Sequence, residues 1–247
     1  FDLGEAWVGI RTRWPMPASK GKDGSGRVTS PMFYSYETGP VHILALCSYM
    51  DSSIGSPLYR FVDADLKAVD RTKTPWLVVM MHVPWYTSNS NHRMNEGAMM
   101  RASLEPLFID AKVDLVVTGH VHAYERTFHV GNGGRMDQCD GGIMHITIGD
   151  GGNREGLALP WLDPQPDWSA LREASYGYGI LQIDSATKAR WEWWRNDGTN
   201  WQPAENVVLE RGQCDEEEAK VDVEVKLEVD VVVQCARQQS LNNTRKK

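Results

Sequence analysis

The sequence predicts an α/β fold in which a β-sandwich is flanked by helices. Three observations support this. Short apolar runs at Trp76–Met81 and residues 113–117 read as strands buried on both faces. The stretch between them, 97–111, has the length and composition of a helix. Beyond Gly131 the alternation of strand and helix gives way to strand-like segments separated by Gly and Asp turns. Such a chain builds layered sheets whose functional loops lie at the carboxyl ends of the strands.

Taken in order, residues 1–40 are rich in Gly, Pro, Ser and Lys without a sustained period and read as a surface excursion. Residues 41–48 form an apolar strand. Within 56–70, Leu58, Phe61, Val62, Ala64, Leu66 and Val69 recur near the helical period of about 3.6 residues and mark an amphipathic helix. The polar segment 84–96 is irregular. Residues 143–148, 178–183 and 189–195 are strands of a second sheet, and Asn196-Asp197-Gly198 is a hairpin turn leading to Trp201. Residues 221–231 alternate apolar and charged with a period of two, yet the acidic run 215–218 and the end Arg245-Lys246-Lys247 favour a loosely attached extension. The chain thus divides into a domain over 1–211 and a charged tail over 212–247.

An apolar fraction of 41% in 247 residues suffices for a sizeable core. The net charge of -7, with no basic stripe, argues against a partner with a phosphate backbone, so no nucleic acid is expected. The apolar runs fall far short of the roughly 20 residues needed to span a bilayer, so no membrane is expected either. Phe1 is not an initiator methionine and no leader segment follows it, so the start reads as processed or truncated. The four cysteines lack C-x-x-C spacing. Cys47 reads as a buried thiol, while Cys214 and Cys235 could pair in an oxidising compartment. Asn242-Asn243-Thr244 is a lone glycosylation sequon.

Chemistry concentrates on three histidines. His82 ends one apolar strand, and His120 and His122 follow another in Gly119-His120-Val121-His122. Imidazole is the commonest metal ligand at neutral pH, and a rigid sheet can hold ligands at strand ends. Alternate residues of an extended segment point apart, so two ligands from this stretch require a bend, which Gly119 permits. The two rings can then serve two ions, and ions about 3.5–4 Å apart clamp a phosphoryl displacement. Three histidines do not complete two sites, and hard oxygen donors should supply the rest. Asp150, in Gly149-Asp150-Gly151-Gly152, is the best candidate here, although the stretch reads more simply as a sharp turn. The missing ligands are expected upstream of Phe1. His42 and His145 lie within strand-like runs and read as structural, His129 lies in no motif, and Trp191, Trp193 and Trp194 read as core.

With Val79-Met80-Met81-His82, Gly119-His120-Val121-His122-Ala123-Tyr124-Glu125-Arg126 and Ile148-Gly149-Asp150-Gly151-Gly152-Asn153-Arg154-Glu155-Gly156, the chain resembles the purple acid phosphatases within the calcineurin-like metallophosphoesterases. Phe33-Tyr34-Ser35-Tyr36 and Gly39-Pro40-Val41-His42 extend the resemblance, which covers about residues 11–211. It implies the αββα metallophosphoesterase fold, here N-terminally incomplete, and a dinuclear centre of Fe(III) with Zn, Fe or Mn. His82 and His120 would bind the divalent ion and His122 the ferric ion. Of the family's upstream motifs, Gly-Asp-x-x-Tyr and Gly-Asn-His are not in this chain, and Gly-Asp-x-Gly is matched only by Gly149-Asp150-Gly151-Gly152, which follows the histidines and belongs to the C-terminal signature just named. Asn91 and His92 match a histidine pair that faces substrate, with His92 as the candidate for phosphate binding and leaving-group protonation. Asn91 can donate a hydrogen bond but delivers no proton at useful pH. Tyr124, Glu125 and Arg126 would orient the metal pair from behind.

The implied activity is acid phosphatase, hydrolysing small phosphate monoesters by a hydroxide held on the dinuclear centre. The alternatives are a non-catalytic fragment that binds phosphate or a partner, and a phosphodiesterase or nucleotide pyrophosphatase. The resemblance also implies a secreted or vacuolar location and leaves a homodimer open.

Overall fold

A computed structural model describes residues 31–196 and 198–211, and the backbone of 222–229. Its first sheet begins with an antiparallel pair, β1 (Phe33–Thr38) and β2 (Val41–Leu46). From β2 the order runs through β3 (Trp76–Met81), β4 (Leu115–Thr118) and β7 (Ile143–Ile148), all pairing in parallel. β5 (Tyr124–Gly131) returns antiparallel on β7 and also pairs with β6 (Gly134–Arg135) and β8 (Ser169–Glu173). The four parallel strands are buried almost throughout, which is why they appear in the sequence as unbroken apolar runs.

Both faces of this sheet are covered. Helices α1 (Pro57–Ala68) and α2 (Ala98–Asp110) pack Leu58, Phe61, Leu104 and Phe108 against Leu44, Val79 and Val116. α1 starts where Ser56 Oγ accepts the Tyr59 N–H at 3.1 Å, with Pro57 opening the first turn. Its buried Asp65 takes His42 Nε2 at 2.9 Å and the Ser35 hydroxyl, so His42 ties the helix to the edge strands, as a structural residue would.

On the opposite face lies the second sheet, in the order β11 (Trp201–Glu210), β10 (Lys188–Asn196), β9 (Tyr176–Ser185), β12 (Asp222–Val229). Ile43, Val78, Val117 and Ile146 meet Leu181, Ile183, Trp191 and Trp193 between the sheets. The expected sandwich and flanking helices are therefore present. Glycine makes room for the two tryptophans, since a Cβ on Gly179 would lie 2.1 Å from the Trp191 ring. Polar contacts cross the same interface: Trp191 Nε1 donates to Tyr124 Oη at 2.8 Å, and Tyr124 donates to Glu205. Arg126 donates to Glu205 as well, through Nε at 2.9 Å and Nη2 at 2.7 Å. Burial, and then the Glu205 charge, push the Tyr124 phenol well above its ordinary value, so it remains a donor.

Four sequence expectations change. Residues 143–148, expected in the second sheet, form β7 of the first, paired in parallel with β4, because they are buried between the helices and the second sheet. Residues 33–38 belong to a strand rather than to a surface excursion; as a half-exposed edge, β1 lacks the continuous apolar run of its neighbours. The earlier part of that excursion lies outside the described residues. Cys47 is buried as expected but disulfide-bonded, as is Cys139, so neither is a thiol. Cys214, Cys235 and the sequon lie outside the described residues. Within the tail, Asp222–Val229 form β12, paired antiparallel with β9. The Asn196 hairpin forms, with Asn196 opposite Trp201 and Gly198 at φ +94°.

Tyr124→Phe strips a partner from the Trp191 indole and from Glu205 in a buried setting. Urea unfolding should show stability lower by about 1–3 kcal/mol with an unchanged m-value. An unchanged midpoint would show that the link carries no stability.

Candidate metal centre

The two candidate metal loops are held together by continuing the parallel ladder. Met81 pairs with Thr118, and one residue later the Gly119 N–H donates to His82 O at 3.1 Å. From the end of β2, Ser48 Oγ accepts the N–H groups of His82 and Val83 at 3.1 and 2.9 Å, fixing the other side of the His82 loop. The chain then bends through two three-residue turns, Val121 N–H to Gly119 O at 2.7 Å and Ala123 N–H to Val121 O at 2.8 Å. The expected bend exists, but its left-handed residue is His120, at φ +65°, and not Gly119. A non-glycine residue there carries backbone strain of a kind that clusters at functional sites. A Cβ on Gly119 would make only an ordinary contact, 3.7 Å from His82 Nδ1. Gly149 is where close packing demands glycine, since a Cβ there would lie 2.1 Å from Val121 O.

This geometry brings His120 Nδ1 to 3.2 Å from His82 Nε2, with the rings steeply inclined. Two imidazole nitrogens on one tetrahedral ion, each about 2.0–2.1 Å from it, stand about 3.3–3.4 Å apart. The pair therefore fits a shared ion. His122, two residues on, has its Nδ1 3.9 Å from Glu155 Oε2.

His92 lies beside the pair, its ring 4.7 Å from that of His120 and nearly perpendicular to it. Between them stands Glu96, with Oε2 at 2.7 Å from His120 Nε2 and Oε1 at 3.5 Å from His92 Nδ1. Burial raises the Glu96 pKa, but the hydrogen bond from His120 and the charges of His120 and His92 outweigh it, leaving the carboxyl below its ordinary value. Sequence reasoning missed Glu96. The available signal was a carboxylate four residues after His92, meaningful only once the single 3-10 turn Met94–Glu96 is known to fold back over the metal loop.

The loop bearing His92 is tied to the segment after Gly156. Asn89 Oδ1 accepts the N–H groups of Asn91 and His92, while its Nδ2 reaches Ala158 O at 3.1 Å. Asn91 Nδ2 donates to Leu159 O, so its amide serves loop docking in this structure. Glu125 anchors the base of the same loop, accepting from Ser88 N and Oγ at 2.8 and 2.6 Å and from Ser169 Oγ at 2.7 Å. Of the three residues expected to orient the histidines, Glu125 thus holds the His92 loop, and Tyr124 and Arg126 join the sheets.

Asp150 closes β7 and links it to the second sheet: its carbonyl accepts the Gly177 N–H, and its Oδ2 takes the Trp193 indole at 2.8 Å. Its role here is a turn and a link between sheets. Burial pushes its carboxyl up to about 7. His145 lies in the core beside Trp85 and Tyr86, and burial, then the Arg101 charge, lower it to about 3, so it is neutral. His129 is likewise lowered by burial.

Residues 36–124 match the calcineurin-like phosphoesterase family model, and residues 142–202 match a model described as iron/zinc purple acid phosphatase-like protein C. Purple acid phosphatase 18 of Arabidopsis thaliana is 50% identical over 78% of this chain and 42% of its own length. Fe(3+)-Zn(2+) purple acid phosphatase 12 of the same plant is 41% identical over 73% of this chain and 40% of its own. Among solved structures, purple acid phosphatase PPD1 from yellow lupin (Lupinus luteus) seeds superposes with a TM-score of 0.65 at 25% identity, covering 73% of this chain and 33% of that one. The chain belongs to the purple acid phosphatase family. It spans less than half the length of the curated relatives it matches.

Asp150 gives a pH signature. Between its ordinary value of 3.8 and about 7, the folded chain keeps a proton that the unfolded chain has released. Its contribution therefore falls as pH rises through that window and is level above it. Asp150→Asn should remove this component, so the stability difference between pH about 5 and about 7.5 in urea unfolding becomes less unfavourable to the higher pH than in the wild type. Parallel profiles for the two proteins would assign the slope to other groups.

Proposed function

We propose that this chain carries the histidine side of a dinuclear metal centre and serves hydrolysis of small phosphate monoesters. The observation that carries the reading is the 3.2 Å approach of His82 Nε2 to His120 Nδ1 at the carboxyl ends of parallel strands. Family membership and the Fe(3+)-Zn(2+) relative support it. When bound, a ferric and divalent pair would supply Lewis acidity and lower the pKa of water.

The chain's own residues supply the rest. His82 and His120 would hold the divalent ion through Nε2 and Nδ1, and His122 would hold the ferric ion. His92, at 30% side-chain exposure, is accessible to substrate and next to the metal pair. As an imidazolium it binds a phosphoryl oxygen and returns a proton to the departing alkoxide. Asn91 adds no proton. We further place the protein in a secreted or vacuolar compartment, a reading supported by the bonded state of Cys47 and Cys139.

Fusing the N-terminal part of purple acid phosphatase 18 before Phe1 tests the proposal. The fusion should bind two metal ions and turn over p-nitrophenyl phosphate at acid pH, with the bis-ester slower. His92→Ala should lower kcat by about 10²–10⁴-fold, most for poor leaving groups. A folded fusion with both metals bound and no turnover would contradict it and favour a phosphate-binding role.

A further inference from the structure

We infer that Glu96 is a positioning residue that fixes the ring of the metal ligand His120 and the ring of His92 with one carboxylate; the inference rests on the metal-centre reading above. A ligand imidazole must present a bare nitrogen to its ion. With His120 Nδ1 facing His82 Nε2 at 3.2 Å, the proton belongs on His120 Nε2, where Glu96 Oε2 waits at 2.7 Å. A carboxylate on the far nitrogen selects the tautomer, stops ring rotation and strengthens the ligand.

Two features make the arrangement specific. The Glu96 carboxylate is itself held, since Oε1 accepts the Arg93 N–H at 3.2 Å within its own turn. The same oxygen stands 3.5 Å from His92 Nδ1, so the two rings, 4.7 Å apart and nearly perpendicular, share one anchor. His120 needs such an anchor because its backbone sits at φ +65°, on a bend tied by short three-residue turns. Displacement of the Met94–Glu96 turn would therefore move the metal ligand and the candidate acid together. In a rival arrangement Glu96, His92 and His120 Nε2 would themselves hold an ion, since their ligand atoms lie within 4.8 Å of one another. That would require a bare Nε2.

The test uses the 247-residue chain with ¹⁵N-labelled histidine, its ring protonation read by long-range ¹H–¹⁵N correlation and its Zn²⁺ affinity by chelator competition. In the wild type His120 should be the Nε2–H form before and after Zn²⁺, with Nδ1 shifting on loading, and His82→Ala should abolish that shift. Glu96→Ala should mix the tautomers and weaken Zn²⁺ binding about 10–100-fold. Glu96→Gln keeps an oxygen acceptor and should retain the tautomer with a smaller loss, which serves where the alanine variant does not fold. Unchanged affinity and tautomer in the variants, loss of the Nε2 proton on loading, or no Zn²⁺ binding by the wild type would overturn the inference. None of these readouts needs turnover. A fusion that binds both metals without hydrolysis would fail the phosphatase reading and leave this one standing.

Discussion

The register of the parallel ladder is the constraint on which the site depends. Leu46 pairs with Met81, Met81 with Thr118, and Thr118 with Thr147, so four strands end level with one another. Each strand end then delivers its next residues to a common rim: Ser48, His82, the bend at His120, and Gly149 with Asp150. A slip of one residue between β3 and β4 would turn every side chain of the slipped strand to the opposite face and part His82 from His120. Burial of both faces specifies that register, since Val79 and Val116 pack under the helices while Val78 and Val117 pack against the second sheet.

The fold spends polar groups in dry surroundings at both ends of the sheet. Near the rim Glu125 accepts three hydrogen bonds, and at the amino end of β2 Asp65 clasps His42, taking Ser35 as well. Desolvation raises the Glu125 pKa and the Ser88 and Ser169 hydrogen bonds oppose it; a buried carboxylate without such partners would be strongly unfavourable. These links connect loops to sheets. They hold the segment from Ser88 to His92 against the strand that follows the metal loop, and so place a candidate acid beside a candidate ligand. The strain at His120 is offset by the same framework, because Val121 is packed where only Gly149 leaves room for its carbonyl.

What the sequence reveals follows from how locally each feature is determined. Trp76–Met81 and Ile143–Ile148 were legible to the residue, since strands buried on both faces are runs of apolar side chains. The edge strand β1 was not, because only Phe33 of its six residues is fully buried. That His82 and His120 would meet beyond the strand ends was legible from residue type and position after strands. The bend was legible through Gly119, which permits one, yet its left-handed residue is His120 and not the glycine. Glu96 could not be seen, since its meaning comes from a contact across 24 residues of sequence. Asn91, read as facing substrate, uses its amide on Leu159, a contact across 68 residues.

The proposed divalent ion would sit between His82 Nε2 and His120 Nδ1. Zinc-edge anomalous diffraction from crystals of the chain grown with Zn²⁺ tests it most directly. A peak about 2.0–2.1 Å from both nitrogens is the predicted result. A peak bound instead to His120 Nε2 and Glu96, or no peak at the His82 and His120 pair, would contradict the account.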